Sequence, residues 1–425
     1  MGARVTTGQQ VYLSDDTHEL DGARTLPISL TWQAQSGANP VIDCGTLQKL
    51  LMGGGTFNGL TITSSTSDRE EVDDTDSSVG AWTFHTGVVS LTNVRLHALY
   101  SGAWWENSYG TWKGVLSQDH GWDSSVNPAG HSLYTQGKTT TGLKTITACI
   151  FVKSMNFNLH IYGSSAAFLQ GYRFSKTIFL HGRNLIGGQT GVDDIELDDC
   201  AFLAGGVELG YSDEQNESLS LTNSLLTSYI QIDKYWTELL TVTGNIVYGA
   251  AGSVIVVDGG LTFGACDIDN NVYISSSATP FAINGVGYKS LADWRTYSGM
   301  DATSRLYATP ALAAAGEGWT LPMVKLYAVP DGGAHIANVA IWNPAEDASV
   351  NVDFSSLSLA NGDYQLRQVR DYVNDRRAFT YDGSPVAVTM SGTTAYPPGY
   401  PTTYHPTAIP DNALPEYGVF ELWSV

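Results

Sequence analysis

The sequence is poor in charged residues, above all in basic ones, and it has no long apolar run. Charged residues make up 15% of the 425 residues, and 42 acidic residues against 21 lysines and arginines give a net charge of −21. This balance disfavours nucleic-acid binding, which requires a cationic face. No stretch approaches the roughly 20 apolar residues of a membrane-spanning helix. We therefore predict neither a nucleic-acid partner nor a membrane span.

The N-terminal residues also lack the charged and apolar regions of a signal peptide. We expect an extracellular or secreted protein that has lost a leader, or one carried on the surface of a virus particle. Glycine (45 residues), tyrosine (22) and tryptophan (11) are plentiful. This composition is typical of a folded, β-rich chain that can bury a large core.

One short pattern recurs: an apolar residue, two or three small or polar residues, an Asn or Cys, and apolar residues again. From Cys149 onward the copies follow at steps of 22 to 27 residues. Such a period is typical of a solenoid whose coils stack strand upon strand, and parallel crossovers are right-handed. The sequence therefore predicts an all-β fold that begins with a right-handed parallel β-helix over residues 1–317. The aligned residues, which we expect to face inward, are Asn93, Cys149, Lys176, Cys200, Asn223, Asn245 and Asn271.

The chain has four cysteines, and two of them, Cys149 and Cys200, occupy the repeat position. Residues two coils apart in one stack are roughly 10 Å apart at ~4.8 Å per strand, which is too far for a disulfide. We interpret these two as small buried residues. The other two are Cys44 and Cys266, and no cysteine has the spacing of a metal site.

From about Leu321 onward, alternating apolar and polar strands are separated by turn residues at about ten-residue intervals. This pattern predicts an antiparallel β-sandwich over residues 318–425. The Pro- and Tyr-rich segment 396–410 either contacts a glycan or forms a rigid loop packed on the β-helix.

The step from Asn93 to Cys149 spans 56 residues, one coil more than the period allows. We therefore expect an insertion at about 100–130, the most aromatic segment of the chain. A long loop without secondary structure is usually functional, and aromatic faces suit stacking on sugar rings. The alternative is a loop whose indoles pack on one another or on a neighbouring subunit. The candidate substrate-binding residues of this segment are Trp104, Trp105, Trp112, Asp119, His120 and Trp122.

Two polar and aromatic strands follow, GHSLYTQGK at 130–138 and NLHIYG at 158–163. Alternate side chains of a strand share a face, so their polar residues point outward if Leu133 and Ile161 point inward. We predict an outward column on one sheet that later coils continue. The alternative is a set of ordinary solvated side chains. The members of the column are Ser132, Tyr134, Gln136, His160, Tyr162, His181 or Arg183, Glu208, Gln231 and Asp233.

The column holds the residue types of two reactions on polysaccharides. A lyase must neutralise a uronate carboxylate and remove a proton with a base such as Lys, Arg, His or Tyr. A glycoside hydrolase needs two carboxylates about 5 to 10 Å apart, for which Glu208 pairs with Asp119 or Asp233. The predicted catalytic residues are His131, Tyr134, Lys138, His160, Arg183 and Glu208, and Gln136, Tyr162 and Asp233 are predicted to bind substrate.

No cofactor and no metal ligand is assigned, although Ca²⁺ is a candidate. The segment 64–79 carries six acidic residues, and carboxylates are the ligands that Ca²⁺ prefers. Their spacing matches no defined calcium loop, so a solvated loop is the favoured interpretation.

Several stretches resemble secreted right-handed parallel β-helix proteins of the pectate-lyase-like, carbohydrate-active type. They are the strand PVID at 40–43, the run GHSLYTQ with HIYG, and SLADW at 290–294 with Asp301, Ser304 and Pro310. The last stretch looks like a closing element at about 289–310, and the resemblance implies that Trp294 covers the end of the core. The C-terminal strands resemble the accessory sandwich of many glycoside hydrolases.

We therefore predict a polysaccharide-processing enzyme, either a lyase or a glycoside hydrolase, that acts at the column beside the Trp-rich segment. Its partner would be a polysaccharide or oligosaccharide, and we expect a monomer. The alternative is a non-catalytic glycan-binding or structural spike of a phage or cell surface, which would form a trimer.

Overall fold

The computed structural model describes most of the chain. The described ranges are 10–14, 16–19, 24–26, 30–36, 38–44, 49–52, 54–64, 81–84, 87–99, 102–106, 108–121, 130–137, 142–152, 154–165, 167, 169–212, 214–233, 235–392 and 414–425.

The chain begins with a parallel β-helix in which each coil contributes one strand to each of three sheets. The interior holds straight stacks of apolar side chains, because the pairing register places equivalent residues of successive coils side by side. The predicted all-β class, with a parallel β-helix followed by antiparallel sheets, is confirmed. One interior stack consists of Leu91, Trp112, Ile146, Phe174, Leu197, Leu221, Val242 and Ile268.

The strands are short, and we name the three sheets A, B and C. Sheet A consists of Gln10–Leu13, Leu30–Ala34, Gly55–Asn58, Val88–Thr92, Tyr109–Lys113, Lys144–Thr147, Leu169–Ser175, Val192–Asp198, Asn216–Thr222, Trp236–Thr243 and Cys266–Asp269. Sheet B consists of Thr17–Glu19, Val41–Asp43, Thr61–Thr63, Arg95–His97, Leu116–Gln118, Ile150–Val152, Ile178–Leu180, Ala201–Leu203, Leu225–Leu226, Ile246–Tyr248, Val272–Ile274 and Arg305–Tyr307. Sheet C consists of Arg24–Leu26, Lys49–Met52, Ala81–Phe84, Gly102–Trp105, His131–Thr135, Phe157–Gly163, Arg183–Gly188, Val207–Ser212, Ile230–Ile232, Ile255–Val257, Phe281–Ile283 and Gly287–Lys289.

At the corner from sheet A to sheet B, the structure differs from the predicted set of inward-facing repeat residues. Asn93, Lys176 and Asn223 have φ values of 52°, 51° and 54° and form the turn itself, a conformation that Asn tolerates well. They do not belong to the inward ladder, because the residue that follows each of them is buried instead. Cys149 and Cys200 are buried and carry free thiols, as predicted.

Polar members of this inward ladder bond from coil to coil. Ser224 N donates to Asn245 Oδ1 at 3.0 Å, and Asn245 N donates to Asn271 Oδ1 at 3.0 Å. Backbone donors at the buried corner are thereby satisfied, as burial requires.

The long step between Asn93 and Cys149 is largely an additional coil. Strands at Gly102–Trp105, Tyr109–Lys113 and Leu116–Gln118 join all three sheets. The expectation of an irregular insertion at 100–130 is therefore wrong for the described residues of this segment. Gly114 takes the corner position with φ 58°, and a Cβ there would lie 2.5 Å from Val329 Cγ1 of the C-terminal domain. Only glycine fits both demands.

A short helix, Leu291–Ser298, closes the end of the β-helix. Ser290 caps its N-terminus and Gly299 ends it in the left-handed conformation. Trp294 is fully buried and stacks on Phe281 with ring centroids 5.4 Å apart. A second helix, Pro310–Glu317, follows the last strand of sheet B.

The C-terminal part is built from antiparallel strands that share one apolar core. The larger sheet consists of Met323–Ala328, His335–Trp342, Tyr417–Ser424, Gly362–Gln368 and Arg376–Tyr381, and the smaller sheet pairs Ser349–Val352 with Val386–Thr389. Short 3-10 turns lie at Ser355–Leu357 and Val369–Asp371 in this part, and at Phe263–Ala265 in the β-helix. The segment 396–410 lies outside the described residues.

The larger antiparallel sheet packs on the outer face of sheet B. Outward apolar residues of sheet B, such as Ile150 and Ile178, share a core cluster with Tyr327, Trp342 and Tyr417. The middle strands of sheet B, from Leu116–Gln118 to Leu225–Leu226, are thereby removed from solvent. Within the described ranges no helix is long and apolar enough to cross a membrane.

Candidate functional site

The outer face of sheet C carries the candidate site. Its strands bring Trp104 opposite Tyr134 and Tyr134 opposite His160. Further along the same sheet, Glu208 lies opposite Gln231. Strand alternation thus produces the column that the sequence predicts, with half-buried aromatic residues at one end and carboxylates at the other.

The first part of the column is an aromatic cluster in which each ring contacts the next. The Tyr134 ring lies 5.0 Å from Trp104 and 5.2 Å from His160, and His160 lies 4.9 Å from Tyr162. Phe157, which sequence reasoning missed, stacks on His160 at 4.2 Å. Strict alternation from an inward Ile161 would turn Phe157 inward, and the irregularity between Phe157 and Leu159 is what brings its ring to the outer face. The aromatic cluster consists of Trp104, His131, Tyr134, Phe157, His160 and Tyr162.

The environment keeps His160 and Tyr134 uncharged at neutral pH. Desolvation, with His131 and Arg183 nearby, lowers the pKa of His160 to about 2. Desolvation, with Glu106 nearby, raises the pKa of Tyr134 to about 12. A neutral imidazole and a neutral phenol are suited to packing and hydrogen bonding, whereas a general base requires a pKa near the working pH.

The second part of the column is a polar cluster of Arg183, Glu208, Gln231 and Asp233. Arg183 Nη2 and Nε both donate to Glu208 Oε2, at 2.5 and 3.1 Å. Gln231 Nε2 donates to Glu208 Oε1 at 3.2 Å and also lies 3.4 Å from Asp233 Oδ1. One side-chain amide therefore contacts both carboxylates.

The two carboxylates have different surroundings. Desolvation raises the pKa of Asp233 to about 6, although the Gln231 hydrogen bond opposes this, and the charges of Glu208 and Asp258 contribute. Glu208 is only 6% exposed, and its charge is compensated by the guanidinium of Arg183. Two carboxyl groups whose environments differ in this way are typical of an acid and an anion that cooperate in one reaction.

Arg183 connects the two clusters. Its guanidinium carbon lies 5.4 Å from the Phe157 ring centroid and 5.9 Å from that of Tyr211. A guanidinium over an aromatic face is attracted by the ring quadrupole. The aromatic and polar clusters therefore form one continuous surface.

Several predicted substrate-binding residues are buried away from this surface. Trp105 and Trp112 stack on each other inside the β-helix, with ring centroids 4.9 Å apart, because their strand positions point inward. Asp119 is buried against Arg370 of the C-terminal domain, with Oδ1 2.9 Å from Nη1. The pairing of Asp119 with Glu208 in a hydrolase site is therefore wrong.

His120 and Ser132 also lie in the interior. The Leu99 N–H donates to His120 Nδ1 at 3.0 Å, so Nε2 carries the proton that is shared with Ser117 Oγ at 2.9 Å. Ser132 Oγ lies 2.8 Å from Ser154 Oγ. The predicted substrate contact of His120 and the predicted outward position of Ser132 are both wrong, because each side chain satisfies buried backbone and hydroxyl groups.

Other predicted residues lie elsewhere or outside the described part of the chain. His181 is buried beside Tyr417 beneath the C-terminal domain. The register places Leu185 between His160 and Glu208, and Arg183, two residues earlier on the same strand, reaches Glu208 with its side chain. Gln136 is half-buried, and its Nε2 lies 3.5 Å from Glu106 Oε1. Lys138, Trp122 and nearly all of the acidic segment 64–79 fall outside the described residues.

Lys144, which the sequence did not single out, supports the aromatic cluster from within. Its buried Nζ donates to the carbonyl oxygens of Trp105, Glu106 and Gln136 at 2.6, 3.0 and 2.7 Å, and lies 2.8 Å from Thr135 Oγ1. Desolvation lowers the pKa of this amine well below its usual value. Through these contacts Lys144 Nζ holds together the ends of two neighbouring strands of sheet C.

Among the described residues, one group of acids could hold a cation. Asp193, Glu217 and Glu238 lie on the outer face of sheet A, with ligand atoms within 4.8 Å of one another. Desolvation, together with Asp193 and Glu238, raises the pKa of Glu217. Exposed carboxylates of neighbouring strands also come together without a metal.

The fold defines the chain as a parallel β-solenoid protein with a C-terminal antiparallel β domain. No family model matches the chain, and no curated protein matches it. Among solved structures it is similar to the tailspike protein gp49 from Acinetobacter baumannii bacteriophage Fri1, a capsular polysaccharide depolymerase. The two share 8% sequence identity over 98% of this chain and 79% of that chain, with a TM-score of 0.40. Similarity at this level does not identify a function.

Proposed function

We propose that the protein is a glycoside hydrolase that cleaves a polysaccharide on the outer face of sheet C. The observation that carries this proposal is the contact of one nitrogen, Gln231 Nε2, with Glu208 at 3.2 Å and with Asp233 at 3.4 Å. The Glu208 and Asp233 oxygens that contact Gln231 Nε2 can therefore be no farther apart than the sum of these two distances. This bound includes the about 5 to 5.5 Å separation of enzymes that use one carboxylate as nucleophile and the other as acid.

The roles follow from the surroundings of each carboxyl group. Asp233, with a pKa of about 6, donates its proton to the glycosidic oxygen as the bond to the anomeric carbon breaks. The Glu208 carboxylate attacks that carbon and forms a glycosyl ester. Asp233 then takes a proton from water, which hydrolyses the ester and regenerates both groups. Gln231 and Arg183 orient Glu208.

The aromatic cluster supplies a binding platform beside these carboxylates. Trp104 and Tyr134 are half-buried on the outer face, where the apolar face of a sugar ring can pack on them. An uncharged platform next to a catalytic pair suits a substrate made of rings with apolar faces and many hydroxyl groups.

A lyase mechanism has less support. The pKa of Tyr134 lies at about 12 and that of His160 at about 2, so neither is poised to remove a proton near neutral pH. Arg183, which would neutralise a uronate, is paired with Glu208. Binding without catalysis is the second candidate, and it is favoured by the low exposure of Glu208, 6%.

Incubation with a panel of polysaccharides tests the proposal. We expect new reducing ends without the ultraviolet absorbance of unsaturated uronates. Glu208→Gln and Asp233→Asn should each lower the rate at least about 100-fold. The matched control is Asp267→Asn, an exposed carboxylate on sheet A, which should change the rate less than about twofold.

Three results would count against hydrolysis at this site. Reducing ends that rise together with ultraviolet absorbance indicate a lyase. Polysaccharide binding without any product indicates a binding protein. Hydrolysis that survives in both Glu208→Gln and Asp233→Asn places the chemistry elsewhere.

A further inference from the structure

A groove of about 590 Å³ lies at the corner where strands of sheet C continue into sheet A. This volume is in the range of sites for small ligands. Its lining combines apolar residues with side-chain amides and carboxylates. The amide and carboxylate residues are Gln170, Gln189, Asp193, Glu214, Gln215 and Glu217.

The groove begins beside the aromatic cluster. Gly188 directly precedes Gln189, and a Cβ on Gly188 would lie 3.0 Å from Cδ2 of Tyr162. The Tyr162 ring therefore packs against the strand end that leads into the groove. A chain molecule that lies along the aromatic cluster can pass Tyr162 and continue into the groove without leaving the surface.

The groove combines an oriented carboxylate with uncommitted amides. Asp193 accepts hydrogen bonds from Gln170 Nε2 at 2.6 Å and from Ser218 Oγ at 2.9 Å. The side-chain amides of Gln189 and Gln215, in contrast, make no hydrogen bond to any residue that the structure describes. Each free amide offers donors and an acceptor, which is what a sugar hydroxyl can use.

The charge of the groove selects against acidic ligands. Asp193, Glu214 and Glu217 are its ionisable residues, and no lysine or arginine belongs to its described lining. The guanidinium of Arg173, on the same sheet, is paired with Asp194 at 2.5 Å and Glu196 at 3.1 Å. A uronate in the groove would meet like charges that no lysine or arginine of the described lining offsets.

We propose that this groove is a subsite for a sugar unit without a carboxylate, either neutral or bearing an amine, in the polysaccharide that the aromatic cluster binds. This inference rests on the proposed function, because it assigns the substrate class for the same surface. Gln189 and Gln215 bind hydroxyl groups, and the acidic residues exclude uronic acids.

Calorimetric titration of the Asp233→Asn protein tests the subsite without turnover. The probes are three oligosaccharides of equal length, built from neutral hexoses, from glucosamine and from uronic acid. We expect the neutral or the glucosamine oligosaccharide to bind and the uronate to bind at least tenfold more weakly. Adding Gln189→Ala and Gln215→Ala should lower the affinity of the bound oligosaccharide about tenfold. The matched control, Gln35→Ala, removes an exposed amide several coils away and should have no effect.

The second part of the experiment removes negative charge from the groove. Glu214→Gln with Glu217→Gln should raise the affinity for the uronate oligosaccharide severalfold. The subsite proposal is wrong if the oligosaccharide binds equally well with and without Gln189 and Gln215, or if the uronate binds tightly to the unaltered groove. This test measures binding and not hydrolysis. An effect of the groove residues on affinity would therefore stand even if the catalytic roles of Glu208 and Asp233 proved wrong.

Discussion

Arg183 donates through both Nε and Nη2 to a single oxygen of Glu208, at 3.1 and 2.5 Å. The remaining oxygen of Glu208 faces Gln231. One carboxylate thus has a cation on one side and, through the amide, a second carboxyl group on the other. In the proposed mechanism this arrangement gives Glu208 and Asp233 different roles, although both are acids on one sheet face.

The pH dependence of hydrolysis should report Asp233. The acid must be protonated, and its pKa is raised to about 6, so kcat/KM should fall as the pH rises above about 6. A pH–rate profile of the wild-type protein measures this limb. A profile that stays flat from pH 5 to 8 would contradict the role of Asp233.

The same raised pKa makes a stability prediction. A carboxyl group whose folded pKa lies above its unfolded value of 3.8 favours folding at low pH, and this contribution is lost as the pH rises through about 6. Asp233→Asn cannot ionise, so its melting temperature should exceed that of the wild type at pH 8 and match it at pH 4. Thermal unfolding at both pH values is the measurement.

Two variants of Tyr134 distinguish a role in stacking on the substrate from a role as a catalytic base. Because its pKa is raised to about 12, removal of the hydroxyl group in Tyr134→Phe should change kcat less than about threefold. Tyr134→Ala removes the ring that contacts Trp104 and His160, and it should raise KM about tenfold. A loss of kcat in Tyr134→Phe beyond about 100-fold would instead support a lyase.

The C-terminal domain should depend on a buried ion pair. Asp119→Asn removes the carboxylate that pairs with the fully buried guanidinium of Arg370, at a cost of about 3 to 5 kcal/mol. The exposed pair Lys113–Asp331 also joins the two domains and is the matched control, since Asp331→Asn should cost less than about 1 kcal/mol. Denaturant unfolding measures both. Replacing Asp119 and Arg370 together with Leu and Met should recover most of the loss.

The end of the β-helix should be sensitive to Trp294. Trp294→Ala removes the stack on Phe281 and the hydrogen bond from Nε1 to Asp301 Oδ2 at 2.7 Å, so we expect a loss of about 3 to 5 kcal/mol. Trp294→Phe keeps the stack and should lose less than half as much. Unfolding midpoints of the two variants provide the comparison, and equal losses would show that the hydrogen bond, not the covering ring, is decisive.

Parts of the candidate site follow from local rules, and other parts do not. Strand alternation placed Tyr134 and His160 on the outer face correctly, because a strand reverses its side chains at each residue. The same rule does not tell which of the two alternating sets of side chains points into the core. Trp105 and Trp112 therefore read as surface aromatics in the sequence, whereas the register of their coil turns them inward.

The amino-acid sequence alone determined the β-helix, the antiparallel domain after it and the outward column, because periodicity and alternation are properties of neighbouring residues. The tertiary structure decided which face of the helix is free. The C-terminal domain covers the middle strands of sheet B and buries Asp119 with Arg370. Among the described residues, its apolar clusters include no outward residue of sheet C. The tertiary structure also decided that Gln231, which contacts Asp233 in its own coil, contacts Glu208 as well, since the contact with Glu208 joins adjacent coils whose register depends on the whole stack.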